Sequence, residues 1–188
     1  MNKEKSYFKN ILFVLIILFY IYLMAKILLF KSVAIGEVFD SNREIIRNCN
    51  FIPFHSIKEY YYSGYFSHII ATIQVVGNII IFIPFGFLCL LLSKDKKFFS
   101  CIWITLVFSL FIEMTQGVLG LGVVDIDDVI LNFAGGFIGG VLYKLLLFIL
   151  KGDEKIKTFI IILTIILIIV YLLLLFYFHF MGYKIKLI

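Results

Sequence analysis

FIIILTIILIIVYLLLLFYF, residues 159–178, carries no charged side chain along its whole length, and that run decides the class of the protein. A helix rises about 1.5 Å per residue, so about 20 apolar residues cross a hydrocarbon core about 30 Å thick. The run belongs to a span at about residues 158–180, and four more of the same kind lie at about 10–30, 71–93, 100–118 and 128–150. With 63% hydrophobic and 15% charged residues and a mean hydropathy of +1.09, the chain is too apolar to clothe a soluble domain. The expected fold is an all-α integral membrane protein, one bundle of about five transmembrane helices over residues 1–188. The connection 31–70 forms a partly interfacial outer segment.

A net charge of +5 could suggest a nucleic-acid partner, but the basic residues sit in short clusters beside the spans. Lys3, Lys5 and Lys9 precede the first span, Lys94, Lys96 and Lys97 join the second to the third, and Lys151, Lys155 and Lys157 join the fourth to the fifth. These segments alternate with the other three connections, so the positive-inside rule places them in the cytoplasm and the C-terminus outside. Membrane lipids, not nucleic acid, are the expected partners. Gly117 to Asp127 contains no Lys or Arg, and 31–70 has only Lys31, Arg43, Arg47 and Lys58 over a longer stretch. The first span is too long for a signal-peptide core and lacks a small-residue cleavage site, so it reads as an uncleaved anchor, with Lys26 snorkelling near its outer end. Cys49, Cys89 and Cys101 have no metal-binding spacing, and no disulfide is expected because Cys49 has no partner on its side.

Between the third and fourth spans lies a concentration of acids and amides that hydrocarbon tolerates poorly. Glu113 and Gln116, at i and i+3, share one helix face, and Asp125, Asp128 and Asn132, at i, i+3 and i+7, share another. A short glycine-containing link lets the two faces meet at the outer mouth. A charge at membrane depth costs about 2.5–3.5 kcal/mol on insertion scales, so such residues are read as a functional site. Helix capping by Asp125, Asp127 and Asp128 explains one or two of them, but not all three, nor Glu113. An all-oxygen set suits a hard divalent cation or a shared proton, with Glu113, Asp125 and Asp128 as candidate metal ligands. Alternatively Arg43, Arg47 or Lys58 folds down to pair with the acids. His55 or His68 could join from outside.

The second span carries Asn78 at the depth of the acids and Pro84 about a turn and a half below it. Pro84 should kink the helix and free a carbonyl near Ile80. Gly135, Gly136, Gly139 and Gly140 on the fourth span form two overlapping small-xxx-small pairs, the pattern of close helix packing. The fifth span has no polar face and should meet lipid. Five spans without internal repeats argue against the usual transporter plans.

Four ordered motifs then point to a family. Asn50-Phe51-Ile52-Pro53-Phe54, the run Asn78 to Phe87, Ser109 to Gln116 with Glu113, and Asp125 to Asn132 followed by Gly135-Gly136 together resemble the VanZ-like family. The resemblance covers about residues 50–140. It implies a small polytopic protein of the bacterial plasma membrane, from a Gram-positive source. It further implies a role in resistance to teicoplanin-type lipoglycopeptides, by binding or altering an envelope component such as a lipid precursor or the antibiotic itself. The alternative is a metal- or acid/base-dependent enzyme acting on an envelope lipid. Many members carry an Arg a few residues before the acidic run, whereas Leu119 to Val124 contains none.

Overall fold

The computed structural model describes residues 3–30, 36, 48–64 and 67–180. Among the described residues six helices follow in order: α1 (Lys3–Leu29), α2 (His55–Tyr62), α3 (His68–Leu92), α4 (Phe98–Leu119), α5 (Ile126–Leu150) and α6 (Asp153–Phe180). All but α2 are long and apolar enough to cross a bilayer. The all-α membrane fold expected from the sequence is therefore present. Two short strands, β1 (Cys49–Asn50) and β2 (Val124–Asp125), pair in parallel with Cys49 opposite Val124 and Asn50 opposite Asp125.

The chain divides into two compact units, Met1–Phe19 with Ile149–Ile188, and Tyr20–Phe148. In the first, Glu154 accepts from Lys9 at 2.5 Å and from Lys157 at 2.7 Å. The Lys157 ammonium also lies 5.9 Å from the centroid of the Phe13 ring. Beyond this pairing α6 exposes its aliphatic side chains nearly all round, which only lipid makes tolerable.

In the second unit the glycines of α5 set the packing. A Cβ on Gly135 would overlap the carbonyl oxygen of Ile79, one on Gly139 that of Ile83, and one on Gly86 the backbone of Gly136. Both series rise together, so α3 and α5 run parallel with their backbones in contact, as the small-xxx-small spacing predicts. The neighbouring pair, Gly136 and Gly140, faces α4, meeting Thr105 and Phe98 respectively. Because α4 residue numbers fall as those of α5 rise, these two helices are antiparallel. Their link is a tight one: Gly120 caps α4 at φ 61°, and Leu121 N donates to Gln116 O at 2.8 Å.

Pro84 sits inside α3. The carbonyl it strips of a donor was expected near Ile80, and the hydroxyl of Tyr20 donates to the oxygen of Ile81 at 2.7 Å, one residue on. Met24, Leu28, Phe82 and Ile112 form a buried apolar cluster alongside, with Phe85 and Phe108 stacked at 4.6 Å. At the opposite end of α3 from Asn78, Lys96 donates to the carbonyls of Leu90 and Leu91, and Lys144 to that of Lys96.

The glycine contacts predict opposite outcomes for two alanine substitutions. Gly139→Ala must push α5 off α3 and should cost about 1–3 kcal/mol, seen as a lower thermal midpoint of the solubilised protein. Gly77→Ala enters open space within a helix and should be neutral or stabilising by up to about 1 kcal/mol.

Candidate functional site

The polar residues of α4 recur at helical spacing. Thr105, Ser109, Glu113 and Gln116 are all buried, as are Asp125, Asp127, Asp128 and Asn132 opposite them and Asn78 on α3. Together they make a polar seam through an otherwise apolar unit, densest at the α4–α5 link. The shared glycine register carries Asn78 to Asp128: the two are 50 residues apart, as are Gly86 and Gly136, and the Asn78 amide donates to Oδ1 of Asp128. One turn further in, Asn132 Nδ2 donates to Ser109 Oγ at 2.9 Å.

The aspartates divide their work. Asp125 caps its own helix, its Oδ1 accepting from Asp127 N at 2.9 Å and from Asn50 Nδ2 at 3.1 Å. Asn50 Nδ2 also donates to Ser56 Oγ at 2.8 Å, and Glu113 Oε2 accepts from Asp125 N at 3.0 Å. Asp127 caps a different helix. Its Oδ1 accepts from the backbone N–H of Phe54 and its Oδ2 from that of Ile57 at 3.2 Å, which satisfies the first turn of α2. Phe54, the residue preceding α2, has φ 63° and offers no side-chain cap of its own. Capping thus accounts for two of the three aspartates, one of them across 70 residues or more of chain.

Of the residues singled out from the sequence, the structure brings together Glu113, Asp125, Asp127, Asp128, Asn132 and Asn78. Gln116 shares the seam, its Nε2 donating to Leu28 O of α1 at 2.6 Å. Among the described residues no three His, Cys, Asp or Glu side chains form a group that could hold a metal ion. The three candidate ligands accept from separate donors: Glu113 from Asp125 N–H, Asp125 from Asp127 N–H and the Asn50 amide, and Asp128 from the Asn78 amide. Lys58 makes no ion pair with these acids, and Arg43 and Arg47 lie outside the described residues. His68 stacks on Tyr61 at 6.1 Å, away from the seam.

His55 instead lines a cleft of about 380 Å³ above the acidic end, with Asn48, Cys49, Asn50, Ser56, Glu59, Tyr60 and Asp125. Beside it Phe51, Ile52 and Phe54 are more than half exposed and form an apolar knuckle. Asn50 and Ser109, which the sequence motifs contained without a role, prove to be hydrogen-bonding partners of the site. Thr105 was signalled by its spacing from Ser109 and Glu113. Ser56 carried no sequence signal.

Five candidate spans, with amides and carboxylates buried where two of them join, define a polytopic membrane protein with a polar site at one end. The model of the VanZ/LLP1 family matches residues 15–149, and the chain belongs to that family. It is also similar to Protein VanZ of Enterococcus faecium, 43% identical over 72 residues, which are 38% of this chain and 45% of that protein. The match therefore spans less than half the length of this relative. No solved structure matches the chain.

Asp127 offers a direct test of the cap. An eight-residue helix does not hold itself together in water, so Asp127→Ala should loosen α2 by about 1–2 kcal/mol. Limited trypsin digestion of the solubilised protein should then cut after Lys58 about five to thirty times faster than in the parent. Asp127→Asn, which keeps one acceptor oxygen, should fall between.

Proposed function

We propose that this protein acts in resistance to teicoplanin-type lipoglycopeptides, binding an envelope component at the outer leaflet of a bacterial plasma membrane. The observation that carries the reading is the cleft. The acids pin β1 and the start of α2 over the end of the seam, leaving a polar recess with an apolar knuckle at its side. That pairing fits a ligand with a polar head and an apolar tail, as a membrane-bound envelope component or a lipid-tailed antibiotic has. Binding is favoured over acid–base chemistry because the aspartates and Glu113 are already hydrogen-bonded to backbone N–H groups and amides. The likeness to Protein VanZ supports the resistance reading.

The orientation, with the N-terminus cytoplasmic, the C-terminus outside and the cleft outermost, rests on the lysine clusters. Lys144 donates to the carbonyl of Lys96 toward the end of α3 and α5 remote from the acids, which places one of those clusters on the side away from the cleft. In intact cells a membrane-impermeant maleimide should label the exposed thiol of Cys49 and leave a cysteine placed at Lys97 unmodified. The reverse pattern would put the cleft in the cytoplasm.

Expression in a sensitive Gram-positive host should raise the inhibitory concentration of teicoplanin more than that of vancomycin, because the lipid tail holds the former at the membrane. Equal shifts, or none, would refute the resistance reading. Glu113→Gln keeps an acceptor oxygen for Asp125 N–H and should fold with little change in thermal midpoint. A resistance level unaltered by Glu113→Gln would restrict Glu113 to a packing role.

A further inference from the structure

The cleft above the acidic end has two kinds of wall. Asn50, Ser56 and Asp125 are fixed by hydrogen bonds to one another, so that side is rigid before any ligand arrives. In the same cleft the side chains of His55 and Glu59, one helical turn apart on α2, hold no hydrogen bond or ion pair with any described residue. The imidazole and the amide of Asn48 can each donate and accept, the Glu59 carboxylate accepts at two oxygens, and Tyr60 contributes an aromatic ring.

Ligand classes separate on this inventory. Among the described residues two carboxylates, Glu59 and Asp125, line the cleft, and both would repel a phosphate or carboxylate group. An ammonium group needs acceptors alone and would leave the donors of His55 and Asn48 unused. Adjacent hydroxyls on a ring, each donor and acceptor at once, match alternating amide, imidazole and carboxylate groups, and the C–H face of such a ring suits the Tyr60 side chain. The volume, at the small end of the about 300–1,000 Å³ typical of ligand pockets, suits a short saccharide and not a polymer.

We infer that the cleft lined by Asn48, His55, Glu59 and Tyr60 binds a saccharide group. This assignment rests on the proposed binding function and names the chemistry of the ligand's head. When the sugar is carried on a lipid, the exposed Ile52, which lines the cleft, and its neighbours Phe51 and Phe54 offer apolar side chains to the first part of the tail.

Cys49 supplies the assay, since its free, exposed thiol lines the cleft. Right-side-out membrane vesicles holding the full chain are treated with an impermeant maleimide, alone or with chitobiose, dodecyl N-acetylglucosaminide, ethanolamine or inorganic phosphate. A sugar at about ten times its dissociation constant leaves about a tenth of the sites free, so labelling of Cys49 should slow about tenfold. Protection by chitobiose identifies a free saccharide as sufficient, and protection by the alkyl glycoside alone identifies a lipid-linked one. The protection should be lost in a His55→Ala, Glu59→Ala double variant that is labelled at the parent rate without ligand. Labelling unchanged by either sugar, slowed equally by ethanolamine or phosphate, or still protected in the double variant would overturn the assignment. Should the sugars fail while the teicoplanin shift persists, the ligand class falls and the resistance reading stands. Sugar protection without a teicoplanin shift faults resistance alone.

Discussion

Everything at the polar end depends on two helices touching backbone to backbone. Where α5 presents Gly135 and Gly139 to the carbonyls of Ile79 and Ile83, there is no room for a methyl group, and neither helix can slide without collision. A contact of that kind fixes register to a single residue, because the next hole is a full turn away. Fixed register in turn brings the Asn78 amide to the Asp128 carboxylate and leaves Gly136 open to Thr105 of α4. In hydrocarbon a misplaced polar side chain finds no water to replace its partner, so the packing must be exact before the seam can be polar.

The acids then do for the α1–α3 connection what the glycines do for the spans. α2 begins at a residue in left-handed conformation with no cap of its own, and its free N–H groups are met by Asp127 from the start of α5. The Asn50 amide and the two-residue ladder with β2 hold the strand before it. Each of these contacts joins segments far apart in sequence, so the polar surface exists only when α5 and the segment from β1 to α2 are in place together. That dependence explains why four separate motifs, Asn50 to Phe54, Asn78 to Phe87, Ser109 to Gln116 and Asp125 to Asn132, converge: they are the four corners of one hydrogen-bonded assembly.

The membrane spans were legible because each is a local statement, twenty or so apolar residues bounded by charges. The glycine spacing on α5 and the polar spacing of Glu113 and Gln116 on α4 were legible for the same reason, since a helix repeats every three or four residues. What could not be read was direction. Asp127 stands in the first turn of α5, where its own N-terminus is the obvious client, yet its carboxylate serves α2. Glu113, Asp125 and Asp128 make the same point: residues on facing surfaces can be close and still turn oxygens to different donors. A two-residue strand such as Cys49–Asn50 has no alternation to detect.

The seam runs only part of the way along the spans. From Gln116 to Thr105 on α4 is about 16 Å of helix, and past Thr105 the contacts around Gly140 are Leu90, Phe98 and Ile102, an apolar layer without a polar atom in its side chains. Among the described residues the polar seam therefore stops short of the far ends of α4 and α5. The two halves of the unit are thus held by different means: at the polar end by directional hydrogen bonds that specify which atoms meet, and beyond Thr105 by non-directional contact of apolar side chains.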